Sequence, residues 1–403
     1  MSSPRTGTPA RSGHRRSRLP RLYLFLATSL SFPALYLKLT GTHVTPGVEA
    51  LLFGLAILGA AFLLSWAAEV AQKDISQALA VAILALIAVL PEYAVDMVFA
   101  WKAGRQPEYA HYALANMTGA NRLLVGVGWP AVVLLFALRF RKAAVKLEPA
   151  HRVEILFMGL ATCYAIILPL KKTLSLVDAF FFLAIFGFYA LRISRAETHE
   201  PELIGPAKWL GELPTALRRL SAGALFLYSA GVIFISAEPF AESLVAAGKG
   251  WGINEFLLVQ WLAPLASEAP EFIVALIWTF RGDAPAGLGA LVSSKVNQWT
   301  LLVGTLPIVY SVSLGKPSAL HLDLRQEHEL WLTAAQSLLA VAILANLSLS
   351  WYGALVLFGL FGVQLVYEDL RMPVSFVYVV LAVALIWRDR RHYPAFLKAG
   401  FGK

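Results

Sequence analysis

Two short acidic segments carry the side chains best suited to chemistry. The first reads LPEYAVDM and holds Glu92 and Asp96; the second reads SEAPEFIV and holds Glu268 and Glu271. Both lie in long apolar stretches, and each places a Pro-Glu pair mid-stretch. Carboxylate oxygens are hard ligands that suit cations such as sodium and calcium, and they can also carry protons. On a helix, Glu92 and Asp96 are one turn apart and Glu268 and Glu271 three residues apart, so each pair can share a face. Proline removes a helical hydrogen bond and releases a carbonyl one turn back. In a membrane that carbonyl needs another partner, and a cation is one. An isolated carboxylate at the bilayer centre costs about 2.5–3.5 kcal/mol on the lenient insertion scale. Two matched acidic segments therefore predict a function.

Each acidic segment is followed by a small-residue segment bearing amides or hydroxyls. The first is ALANMTGANRLLVG, with Asn116 and Asn121; the second is ALVSSKVNQWTLLVG, with Ser293, Ser294, Lys295 and Asn297. Asn116 and Asn121 stand about 140° apart on an ideal helix, so they need not serve one subsite. Ala115, Gly119 and Ala120, and Gly287, Gly289 and Ala290, allow close helix packing. Arg122 and Lys295 add positive charge. Their expected partners are Glu92 or Asp96 for Arg122, and Glu268 or Glu271 for Lys295. A buried lysine can also stand in for a bound monovalent cation and change charge with pH. Ser293 and Ser294 read as packing residues. Glu69 and Glu238 read equally as lining an access path or as interfacial.

The elements that must position these groups are membrane helices. The chain has 403 residues, is 58% hydrophobic and only 15% charged, far below a soluble protein. Twelve apolar stretches are long enough to span, near 22–40, 48–70, 76–101, 109–138, 152–170, 175–193, 220–247, 253–280, 285–314, 328–346, 350–367 and 373–388. With that count most of the 34 Lys and Arg residues fall in loops on the side of both termini, which the positive-inside rule assigns to the cytoplasm. The expected setting is a bacterial inner membrane. Residues 1–21 read as a disordered basic arm, 194–219 as a cytoplasmic linker and 389–403 as a cytoplasmic tail. Cys163, the lone cysteine, reads as a small buried hydrophobe. The eleven Trp and thirteen Tyr residues read mostly as interface anchors. No H-E-x-x-H or Cys/His cluster points to an enzyme or to zinc.

Alignment of Pro91-Glu92 with Pro270-Glu271 brings the two amide segments and their closing LLVG into correspondence. Five spans separate corresponding points, so the halves have opposite orientation, the plan of an inverted-repeat transporter with a midplane site.

On Leu90-Pro91-Glu92, Asn116 to Asn121, Ala269-Pro270-Glu271 and Asn297, the chain resembles the sodium/calcium exchanger superfamily of cation antiporters. That family carries two inverted repeats, each with a GTSLPE-like and a GNxxGSN-like helix. The resemblance implies an all-α polytopic membrane protein. Its two five-helix inverted repeats, at 48–193 and 220–367, carry an extra span at each end, 22–40 and 373–388. It implies cation exchange by alternating access, with Glu92 and Glu271 as the central ligands of a transient cation and Asn116, Asn121 and Asn297 beside them. Asp96, Glu268, Lys295 and Arg122 are further site or charge-pair residues. The second repeat departs from the pattern: Val292 replaces the first Asn and Lys295 the Gly, while Glu268 replaces a hydroxyl. These changes point to proton or monovalent coupling. The alternatives are an organic-solute transporter, using Arg122 and Lys295 for an anionic group, or a nontransporting sensor. The expected partners are the lipid bilayer and inorganic cations, with Na+, Ca2+ or H+ transported; no cofactor and no nucleic acid are expected.

Overall fold

A computed structural model describes residues 18–74, 90–194, 203 and 205–390. Most of the described residues are helical, because long apolar runs in a membrane must satisfy their backbone groups internally. The first repeat contains α3 (Pro46–Ala71), α4 (Leu90–Ala103), α5 (Tyr109–Leu123), α6 (Trp129–Phe140), α7 (Arg152–Ala165), α8 (Ile167–Lys171) and α9 (Leu176–Ile193). It is preceded by α1 (Arg18–Ser29) and α2 (Phe32–Thr40). The linker contains α10 (Gly205–Gly211). The second repeat contains α11 (Thr215–Trp251), α12 (Glu255–Phe280), α13 (Ala284–Asn297), α14 (Val303–Leu314), α15 (Leu324–Leu344) and α16 (Trp351–Val366), and α17 (Arg371–Arg388) follows.

Eight of the described helices are long and apolar enough to cross a membrane. The remaining predicted spans differ for local reasons. The 285–314 stretch runs as α13 and α14 joined by a π-helical segment, Gln298–Leu302. The 328–346 stretch forms α15, which opens with charged residues and is capped by Asp323 and Gln326 in a reciprocal capping box. The 350–367 stretch forms the shorter apolar helix α16. Most of 76–101 lies outside the described residues, which resume at Leu90. The first predicted span, 22–40, is among the eight as Leu19–Thr40, with a turn at Leu30–Ser31 between α1 and α2.

A π-helical segment, Leu124–Gly128, joins α5 to α6 as Gln298–Leu302 joins α13 to α14. Each directly follows an amide-bearing helix. Such segments are rare and concentrate at functional sites.

Two short antiparallel ladders join the repeats. The strand β1 (Ala144–Lys146) pairs with β4 (Ser348–Ser350), and β2 (Thr173–Leu174) with β3 (Leu320–His321). Paired strands must lie on one side of the bilayer. The residues before and after the α7 region therefore meet, respectively, the residues after and before α15. This is what a two-fold axis in the membrane plane produces between inverted halves.

α11 is 37 residues long, about 55 Å at 1.5 Å per residue, against a hydrocarbon core of about 30 Å. It packs extensively on α3. Gly252, at φ +65°, ends α11 in the left-handed conformation that glycine adopts readily.

Two sequence expectations are corrected. The linker is not loop throughout: α10 buries Ala207 and Leu210 against Val70 and Ala222. Cys163 is exposed on the perimeter of the bundle. Trp129 and Trp299 are the exceptions among the tryptophans, fully buried in the two main cores. The basic arm through residue 17 and the tail from residue 391 lie outside the described residues.

Candidate cation chamber

The two acidic helices and the two amide helices meet at the centre. α5 packs against both α4 and α12, and α12 against α13. Glycine makes the close approach possible. A Cβ added at Gly119 would collide with the backbone carbonyl of Gln260 in α12, and one at Gly287 would stand 2.6 Å from the Ala275 carbonyl oxygen.

Each repeat builds the same local device: the second helix donates a hydrogen bond to a carboxylate on the first. In the first repeat the Asn116 amide donates to Asp96 Oδ1 at 2.9 Å. In the second, Ser294 Oγ donates to Glu271 Oε2 at 2.5 Å, and Gln298 Nε2 to Glu268 Oε1 at 3.1 Å. Glu92, Asp96, Asn116, Asn121, Glu268, Lys295, Asn297 and Gln298 are buried, and Glu271 is half-buried.

Several buried oxygens have no hydrogen-bond partner. Among them are Glu92 Oε1, Asp96 Oδ2, Asn116 Oδ1, Glu268 Oε2, Asn297 Oδ1 and Gln298 Oε1. Buried acceptors are normally satisfied, so this set, drawn from both repeats, is a reserve of hard oxygen. Among the described residues no three His, Cys, Asp or Glu side chains form a ready cage for a metal ion. The unpaired oxygens are therefore a mixture of carboxylates and amides.

The basic residues take other partners than those expected. Lys295 Nζ donates to Asn121 Oδ1 at 2.7 Å and to the Asn121 carbonyl at 3.2 Å. It also lies 4.6 Å from the centre of the Trp299 ring. It forms no ion pair with Glu268 or Glu271, because Asn121 and the indole receive it first. Arg122 pairs with Glu329 of α15, not with Glu92 or Asp96. Its position one residue after Asn121 turns it about 100° round the helix, toward α15. Asn116 and Asn121 accordingly serve different partners.

Sequence reasoning missed Glu329, Gln298, Gln260, Gln364 and Arg371. Only a polar residue inside an apolar run could have flagged them, and that signal names no partner. Ser293 is not mere packing, since its hydroxyl donates to Glu154 at 2.6 Å. Glu69 lines a cavity of about 730 Å³ with Trp66 and Arg281. Glu238 is exposed and 3.1 Å from Lys102, which also pairs with Glu242.

The sodium/calcium exchanger protein family matches residues 47–194 and again 221–368. The chain belongs to that family. As an exchanger-family chain it also has close structural counterparts. An H+/Ca2+ exchanger, CAX, is 45% identical, with a TM-score of 0.91 over 94% of this chain and 98% of its own. YfkE, a Ca2+/H+ antiporter protein, shares the fold at 14% identity, with a TM-score of 0.62 over 91% of this chain and 99% of its own. The sodium-calcium exchanger NCX_Mj shares it at 15% identity, with a TM-score of 0.54 over 80% and 98%. No curated protein sequence matches the chain significantly. This exchanger is therefore an integral membrane protein with two inverted repeats.

Proposed function

We propose that this chain is a cation antiporter that exchanges calcium for protons by alternating access, with Glu92 and Glu271 as its central ligands. The observation that carries the reading is the set of buried, unpaired carboxylate and amide oxygens contributed by the packed acidic and amide helices of both repeats. The 45% identity to an H+/Ca2+ exchanger over nearly the whole chain supports calcium and protons as the exchanged pair.

Asp96 and Glu268 supply further charge and Asn116 and Asn297 supply amide oxygen, while the Asn121 amide holds Lys295. A divalent cation entering between Glu92 and Glu271 neutralises carboxylate charge; protons binding the same oxygens replace it. Each form lets the chamber face either side without a bare charge in hydrocarbon. Lys295 occupies Asn121 Oδ1 as a tethered cation, which supports a chamber with fewer metal subsites than an all-acceptor one. The engagement of Arg122 by Glu329 and of Lys295 by Asn121 leaves no free basic pair for an anionic solute, which favours the cation reading.

Both termini are assigned to the cytoplasm of a bacterial inner membrane, following the basic loops. The domain limits 48–193 and 220–367 for the repeats, with extra spans at 22–40 and 373–388, complete the assignment.

The test is calcium uptake into proteoliposomes with sodium, potassium and pH gradients imposed separately. A pH gradient should drive uptake and a sodium gradient should not. Sodium-driven uptake without pH dependence would refute proton coupling. No movement of any cation would refute antiport.

A further inference from the structure

The buried network around Glu329 is not part of the chamber, yet it touches both of its walls. Glu329 of α15 is 1% exposed. One of its carboxylate oxygens is ion-paired with Arg122 and accepts, at 2.8 Å, from Gln260 Nε2; the other accepts from Arg371 Nη1 at 2.5 Å. Arg122 itself is fully buried. It donates to Gln364 Oε1 at 2.7 Å and lies 5.0 Å from the Trp261 ring centre. Gln260 and Trp261 belong to α12, the helix of Glu268 and Glu271. Arg122 belongs to α5 and directly follows Asn121. Arg371 comes from α17, outside the matched repeats, and stands 3.6 Å from the half-exposed Glu368.

A guanidinium stays charged under all ordinary conditions. In a dry interior its field is weakly screened, so its distance and its counter-charge matter to any cation nearby. Packing alone does not require an arginine at this position. The consequence of the arrangement is electrostatic: Glu329 neutralises a fixed positive charge one residue from a chamber ligand.

We propose that Glu329 is a positioning residue that holds and neutralises Arg122 away from the chamber, and thereby sets the chamber's affinity for divalent cations. Arg371 brings the C-terminal span into the same device by orienting the Glu329 carboxylate. The inference rests on the cation-antiport reading.

The test uses detergent-purified full-length protein checked for monodispersity. Equilibrium binding of radioactive calcium gives affinity, and proton-driven calcium uptake in proteoliposomes gives flux. Glu329→Gln should weaken calcium binding on the order of ten-fold or more, since a bare arginine then repels a divalent ion. Arg122→Gln in the Glu329→Gln background should restore affinity to within about three-fold of wild type, because removing the charge removes the need for its partner. Unchanged binding in Glu329→Gln overturns the proposal. So does a folded double variant as weak as the single one, which is the outcome of a purely structural role.

If Glu329→Gln does not yield folded protein, the single Arg122→Gln variant decides. The proposal predicts calcium binding at least as tight as wild type, and weaker binding overturns it. Wild type that binds calcium without exchanging it for protons refutes the antiport reading while the binding series still judges Glu329. Wild type that binds no calcium overturns both.

Discussion

Glu92 and Glu271 sit on opposite repeats, and in the proposed reading they serve one cation together, so neither can replace the other. Glu92→Gln and Glu271→Gln keep size and remove charge. Each should lower calcium uptake by at least about 100-fold, since a neutral amide is a poor substitute for a carboxylate around a hard divalent ion. Flux near wild type in either variant would remove that residue from the ligand set. Lys295 is a different case, held by Asn121 and Trp299 and not by a carboxylate. Lys295→Ala frees the Asn121 oxygen and deletes a charge. The expected outcome is a shifted pH dependence and a changed order of cation preference in the same flux assay. If both match wild type, Lys295 has no part in coupling.

At the scale of elements, the chamber depends on helices that touch backbone to backbone. Gly119→Val inserts a branched side chain where the Gln260 carbonyl already stands. It should destabilise the protein by about 1–3 kcal/mol or displace α5 from α12, read as a lower midpoint in thermal unfolding followed by size exclusion. An unchanged midpoint with normal calcium binding would contradict the close packing. A second element contact lies outside the bilayer. Arg218 chelates Asp74 through two hydrogen bonds of 2.8 Å, and Arg219 approaches at 3.0 Å. The hydrogen bonds and charge of these arginines pull the Asp74 carboxyl from 3.8 down to about 2. Because the folded value is the lower one, the contribution is complete above about pH 4 and is lost as pH falls toward 2. Asp74→Asn should therefore lower the thermal midpoint equally at pH 6 and pH 8, with the gap closing only in strong acid. A gap that closes near pH 6 would contradict the pairing.

For the molecule as a whole, the two ladders constrain the topology. Since β1 pairs with β4 and β2 with β3, neighbouring loop positions must be accessible from matching sides. In a Cys163→Ser background, cysteines at Lys142 and Asn346 should react with an impermeant maleimide from one face. Cysteines at Lys172 and Lys316 should react from the other. The cytoplasmic face is the one expected for the first pair from the basic loops. Split labelling within either pair would refute the inverted arrangement. The extra C-terminal span belongs to the same whole, because Arg371 reaches the network that touches both chamber walls.

The sequence by itself determined the membrane class and the duplication, and it singled out the buried carboxylates that the proposed reading uses. These follow from hydropathy, from the repeat of Pro-Glu, and from the high free energy of a carboxylate in hydrocarbon, all of which are local or periodic properties. It also anticipated the small-residue packing, realised at Gly119 and Gly287. Only the tertiary structure decided who pairs with whom. Lys295 went to Asn121 and Arg122 to Glu329, partners 174 and 207 positions away, and no spacing rule along one helix reaches across the bundle. The inward turn of Trp129 and Trp299 and the outward turn of Cys163 have the same cause. A residue type sets what a side chain prefers, but the rotation of its helix against its neighbours sets what it meets.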